Sequence, residues 1–71
     1  MQLADIVVVD PHVMGGVPCF RGTRVPVSTL FDNLAGGMTL DEILDDFPTL
    51  NRDDLVAVLE LASAEVAKSA A

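Results

Sequence analysis

Arg21 and Arg24 flank Gly22-Thr23, and they are the side chains best suited to recognition chemistry in this chain. A guanidinium is a rigid fork of donors that fits a phosphate, or the carboxylate cluster of a partner's metal site. The same fork also suits an ion pair with Asp5, Asp10 or the acidic helices, within or between subunits, and both readings stand. Arg52 is a third candidate contact for nucleic acid or a partner. Gly22-Thr23 lacks the longer glycine pattern and the following Lys and Ser/Thr of a phosphate-cradling loop, so a structural turn is expected. His12 and Cys19 are the sole histidine and cysteine. No second ligand set or orienting group accompanies them, so the expectation is structural roles, no metal and no cofactor. No titratable pair has an acid–base or nucleophile arrangement, so an enzyme is not expected.

The elements that must position these residues follow from local pattern. Ile6-Val7-Val8-Val9 is a β-branched run bounded by Asp5 and Asp10-Pro11, and it reads as a short strand buried on both faces or nearly so. His12 to Val17, with Gly15-Gly16, reads as a loop. Pro18 to Arg21 and Arg24 to Pro26 are short extended pieces around Gly22-Thr23, a tight hairpin or a bulged strand. Prolines 18 and 26 lack a ladder donor and limit the ribbon.

From Val27 the period becomes helical, with Leu30, Phe31 and Leu34 recurring and Gly36-Gly37 as the stop. Either Pro26 opens this helix at its first position or Ser28 caps it. Thr39-Leu40-Asp41-Glu42 is a capping box, with Met38 and Ile43 as its hydrophobic staple. Pro48 limits that helix to about two turns. Asp45-Asp46, near its end, oppose the helix dipole and form either a surface for a basic partner or a solvated face. Asn51 caps a third helix with Asp53 and Asp54 in its first turn and a core stripe of Leu55, Val58, Leu59, Ala62 and Val66. Its tail, residues 68–71, is expected to fray.

The fold class is therefore mainly α: a short N-terminal β-ribbon followed by a three-helix unit. A single domain spans 1–71, with 1–26 as a ribbon or dimerisation arm and 27–69 as the helices. The chain is 71 residues long and 51% apolar, with a formal charge of −7. So short a chain buries only about 60% of the surface its unfolded form exposes and needs help from a partner, since one cysteine excludes an internal disulfide. Ile6, Val7, Val8, Val9, Phe20 and Leu61 are the expected dimer or partner interface, with the ribbon strand pairing across a homodimer. No stretch approaches the apolar length of a membrane span. Met1-Gln2-Leu3-Ala4-Asp5 lacks the basic start and long apolar run of a secretion signal, so the expected setting is cytoplasmic.

Charge is unevenly divided. Residues 1–38 hold Asp5, Asp10 and Asp32 against Arg21 and Arg24. Residues 39–71 hold Asp41, Glu42, Asp45, Asp46, Asp53, Asp54, Glu60 and Glu65 against Arg52 and Lys68. Phosphates repel such a half, so DNA is a weak candidate partner and would have to be met by Arg21 and Arg24.

Gly16-Val17-Pro18-Cys19-Phe20-Arg21-Gly22-Thr23-Arg24-Val25-Pro26-Val27 resembles the signature of the family catalogued as domain of unknown function 433. Leu34-Ala35-Gly36-Gly37, Thr39 to Leu44, Phe47-Pro48 and Leu50 match in register, and the resemblance runs from about Ile6 to about Ala64. It implies a homeodomain-like helix-turn-helix and an antitoxin paired with a PIN-like ribonuclease toxin. On that basis the first expectation is an antitoxin-like regulator that dimerises and neutralises such a nuclease, with DNA autoregulation as a second role. The alternative is a protein-interaction or dimerisation module with no link to nucleic acid.

Overall fold

A computed structural model describes residues 2–70. In chain order they form α1 (Leu3–Ile6), β1 (Val7–Val8), a 3-10 turn at Met14–Gly16, β2 (Cys19–Phe20), α2 (Val27–Ala35), α3 (Leu40–Asp46) and α4 (Arg52–Ala70). The architecture is mainly helical with a short two-stranded antiparallel sheet, as the pattern predicts.

The ribbon is closed within one chain. β1 and β2 run antiparallel, with Val7 opposite Phe20 and Val8 opposite Cys19. Cys19 also bridges Pro26, so β2 lies between β1 and the segment leading into α2. The hairpin return is a four-residue turn in which the Thr23 N–H donates to the Phe20 carbonyl at 3.0 Å. Gly22 occupies its third position at φ 77°, a left-handed conformation that glycine adopts without strain. The Thr23 hydroxyl donates to the Phe20 carbonyl and accepts from the Val25 N–H, which locks the return.

Two expectations for the ribbon are corrected here. Ile6 ends a single helical turn and leaves β1 with two residues, while Val9 lies outside the ladder and is 64% exposed. One local cap and one tertiary contact override β propensity at this point: the Asp5 carboxylate accepts from the Gln2 N–H three residues before it, and Arg21 holds the carbonyls of Ala4 and Asp5. The strand also finds its partner, β2, in its own chain, so it does not need a second copy to pair.

The helices start and stop where the caps dictate. Pro26 is itself the N-cap of α2 and Val27 its first residue, which corrects both expectations, Pro26 at the first helical position and Ser28 as the cap. At its other end Gly37 has φ 96°, its N–H donates to the Leu34 carbonyl, and Met38 donates to Asn33, a Schellman closure. Thr39 and Glu42 form the expected capping box on α3. The α3 helix ends at Asp46, because Phe47 precedes Pro48 and leaves helical geometry. Asn51 Oδ1 accepts from the Asp54 N–H at 2.9 Å and caps α4. Residues 68–70 remain helical rather than frayed, and Ala71 lies outside the described residues.

One core gathers all the elements: Ile6, Phe20, Leu30, Ile43, Leu50, Leu55 and Val58. Phe20 is the bulkiest fully buried side chain. The N-terminal segment thus contributes Ile6 and Phe20 to the core. Val66, expected at the end of the core stripe, is 67% exposed because α4 runs past the body of the molecule.

Candidate partner-binding site

The three candidate arginines have three different environments. Arg21 follows directly on buried Phe20 and turns back to α1. Its Nε donates to the Asp5 carbonyl at 3.2 Å and its Nη2 to the Ala4 carbonyl at 2.5 Å. Those carbonyls end a one-turn helix and have no helical partner of their own, so Arg21 serves as a C-terminal cap. The expected ion pair of Arg21 with Asp5, Asp10 or the acidic helices is therefore not formed among the described residues, and main-chain oxygens hold the guanidinium instead.

Arg52 opens α4 and pairs with Asp41 in the first turn of α3. Both side chains are more than half exposed, so the pair ties two helices together without being buried. Arg24 differs from both. Among the described residues it is the basic side chain with neither an ion-pair nor a hydrogen-bond partner. It lines an open cleft of about 480 Å³ with Val8, Val13, Gly22, Thr23 and Thr49. The hairpin return and the turn between α3 and α4 thus face one another across it. An unengaged guanidinium beside two apolar walls and the Thr49 hydroxyl can accept one anionic group from outside.

The helical half presents the opposite charge. Its two cations are both engaged: Arg52 by Asp41, and Lys68 by Glu65 at 3.8 Å. Glu42, Asp45, Asp46, Asp53, Asp54 and Glu60 have no cationic partner among the described residues. The Thr39 backbone N–H and hydroxyl beside Glu42 hold its carboxyl below the usual carboxylate range. The α3–turn–α4 unit has two capped helices joined through Pro48, with Leu50 N–H donating to the Phe47 carbonyl. Asp53 and Asp54 at the start of α4 would repel a phosphate backbone brought to that end.

A second surface is apolar. Leu3, Val27, Phe31, Leu61 and Ala62 line a groove of about 210 Å³ between α1, α2 and α4, and Glu65 is its one charged lining residue. Leu61 of the expected interface is here. Val7 and Val8 are half-buried in the ribbon. Ile6 and Phe20 are corrected: at 0% and 1% exposure they belong to the core and offer nothing to a partner. The groove residues Leu3 and Phe31 were missed as a site. The signal for Phe31 was its place beside Leu30, since adjacent positions on a helix cannot both face one core.

His12 is exposed, and its backbone N–H donates to Asp10 Oδ1 at 2.8 Å. Cys19 is buried, its thiol donating to the Val17 carbonyl at 3.3 Å. Among the described residues no three His, Cys, Asp or Glu side chains gather into a metal-holding group. None of the described helices is long and apolar enough to cross a membrane.

Comparison with known proteins places this geometry. The family model described as "Protein of unknown function (DUF433)" matches residues 7–62, from β1 well into α4. The chain belongs to this family. The match takes in the ribbon, the Arg24 cleft and the α3–α4 turn, and it leaves out α1 and the last turns of α4. Among curated proteins it is similar to "Uncharacterized protein y4eO" of Sinorhizobium fredii (strain NBRC 101917 / NGR234), with 35% identity over 51 residues. That segment is 72% of this chain and 23% of the relative, so the chain spans about a quarter of the relative's length. No solved structure matches this family member significantly.

Proposed function

We propose that this protein is a non-enzymatic, antitoxin-like regulator that binds and occludes a PIN-like ribonuclease. The observation that carries this reading is the unneutralised helical half. Both of its cations are already paired, and six carboxylates remain for a basic surface to meet. A nuclease must hold RNA phosphates in a basic groove, and an array of exposed carboxylates is the protein surface complementary to that groove. Arg24, unengaged beside its cleft, supplies one cation for a carboxylate on the partner.

The same charge distribution weighs against DNA as the primary ligand. Arg21 is occupied by main-chain carbonyls, so one chain brings only Arg24 to a phosphate backbone. Autoregulation of a promoter is therefore proposed only for the complex with the nuclease, where the partner contributes positive charge. The working form in this proposal is a homodimer.

Co-expression with the product of the adjacent reading frame tests the proposal. The expected result is a complex that survives purification and relief of that product's toxicity. No complex and no relief would remove the antitoxin reading and leave an interaction module.

A further inference from the structure

We propose that the apolar groove between α1, α2 and α4 receives the α4 helix of a second copy of this chain, giving a two-fold dimer. The inference rests on the homodimer of the proposed function, and of the expected interface it keeps Leu61 on α4 and leaves out the ribbon.

Three features converge on this occupant. The first is the shape of α4. Its buried residues are Leu55 and Val58, and every residue from Ser63 to Ala70 is exposed. Glu65 is the last of them to line the groove, and the five residues beyond it, about 8 Å of helix and a little more than one turn, run past it. A short helical segment is marginal in water without a tertiary contact. The projecting stretch carries Val66 at 67% exposure among alanines and serines, so it is narrow and can enter a shallow groove.

The second feature is continuity. The groove lies at the root of the same helix, where Leu61, Ala62 and Glu65 join Leu3 and Phe31. One chain therefore offers both a groove and an unpacked helix that runs out of it. A two-fold axis lets each copy fill the groove of the other with identical contacts, the self-complementary arrangement of most dimers. The two α4 helices then run antiparallel and their dipoles oppose favourably.

The third is charge. Two molecules of charge −7 repel unless they meet on a face without net charge. At about 3.6 residues per turn, Asp53 and Glu60 fall on the side of α4 opposite Val58, Ala62 and Glu65, while Asp54 shares their side but lies a turn before Val58, outside the groove lining. Glu65 is the sole charged group lining the groove, and Lys68 sits 3.8 Å from it. A basic partner is drawn to the carboxylates elsewhere on α3 and α4. The groove suits a near-neutral helix of small side chains, and the tail of α4 is one, with Glu65 and Lys68 as its two opposite charges.

Sedimentation equilibrium at micromolar concentration, with three variants, is the test. The expected result is a particle of twice the chain mass. Val66→Glu and Phe31→Asp should each weaken association about tenfold or more, whereas Val9→Glu on the ribbon should leave it unchanged. Val66 is well exposed, so Val66→Glu keeps the protomer fold, with unchanged circular dichroism, and decides the matter if Phe31→Asp fails to fold. A monomeric wild-type protein overturns the proposal. So does a dimer that Val9→Glu disperses and Val66→Glu does not. Nuclease binding is scored separately on each variant, so an intact dimer that binds no nuclease counts against the antitoxin reading alone.

Discussion

Arg52 and Asp41 form an ion pair that spans the turn between α3 and α4 and joins the first turns of both helices. Arg52 sits where the α4 dipole disfavours a cation, and the carboxylates of Asp41, Asp53 and Asp54 offset that cost. Exposed pairs of this kind contribute little. A double-mutant cycle with Arg52→Ala and Asp41→Ala, read by urea unfolding, should give a coupling below about 1 kcal/mol. A coupling several times larger would mean that the helix pair depends on it.

The capping box on α3 makes a pH-dependent prediction. Hydrogen bonds from Thr39 lower the folded-state pKa of Glu42. A lowered carboxyl pKa contributes stability that is present above the unfolded value and is lost as pH falls through the folded one. Thr39→Ala should cost about 1 kcal/mol near neutral pH. It should raise the Glu42 titration, followed by NMR, only part of the way toward the ordinary carboxylate range, because the backbone N–H at position 39 remains as the larger cause. A Glu42 carboxyl that titrates identically in both proteins would contradict the cap.

Arg21 and Arg24 should separate by phenotype. Arg21→Ala leaves the Ala4 and Asp5 carbonyls without their donors, costing about 1 kcal/mol and speeding amide exchange at Asp5 and Val7. Arg24→Ala has no internal partner to lose and should change stability by less than about 0.5 kcal/mol. Partner affinity should follow the reverse order. Equal stability losses from the two would show that Arg24 is engaged after all.

Ile6→Ala removes a side chain with no solvent exposure and should cost about 2–5 kcal/mol, enough to unfold much of a protein this small. Val9→Ala, three residues on and largely exposed, should be close to neutral in the same thermal melt.

The helical half of this fold was legible in the sequence because its signals are local. Thr39 with Glu42, Asn51 with Asp54, and Gly36-Gly37 each satisfy helix-end groups within three or four residues, so the chain announces them without tertiary help. The ribbon was legible in kind but not in detail. Ile6 belongs to a helical turn because Arg21, fifteen positions later, holds the carbonyls beside it. The Asp5 cap on Gln2 is local, but the Arg21 contact is not announced by any pattern near Ile6. Ile6 and Phe20 look like interface residues when the strand seems to lack a partner, and they become core once β2 pairs with β1 and α4 covers both.

The candidate site was half legible. Arginine pairs flanking a glycine mark a place where recognition can occur, but which guanidinium is engaged depends on where α1 ends. The groove escaped notice because it joins Leu3, Phe31 and Leu61, residues far apart in sequence whose meeting depends on the packing of α1 against α4. The length of the α4 overhang was hidden for a related reason. Val66 keeps helical register with Val58, Leu59 and Ala62, and only the extent of the body shows that nothing lies beneath it.

The central claim is that the acidic helices and Arg24 engage a ribonuclease. Its most direct test is a titration of the purified adjacent gene product, assayed for RNA cleavage, with this protein and its Arg24→Ala variant. The account predicts stoichiometric inhibition by the wild-type chain, weaker inhibition by the variant, and loss of both as salt rises. Undiminished cleavage with the wild-type chain in large excess at low salt would contradict it.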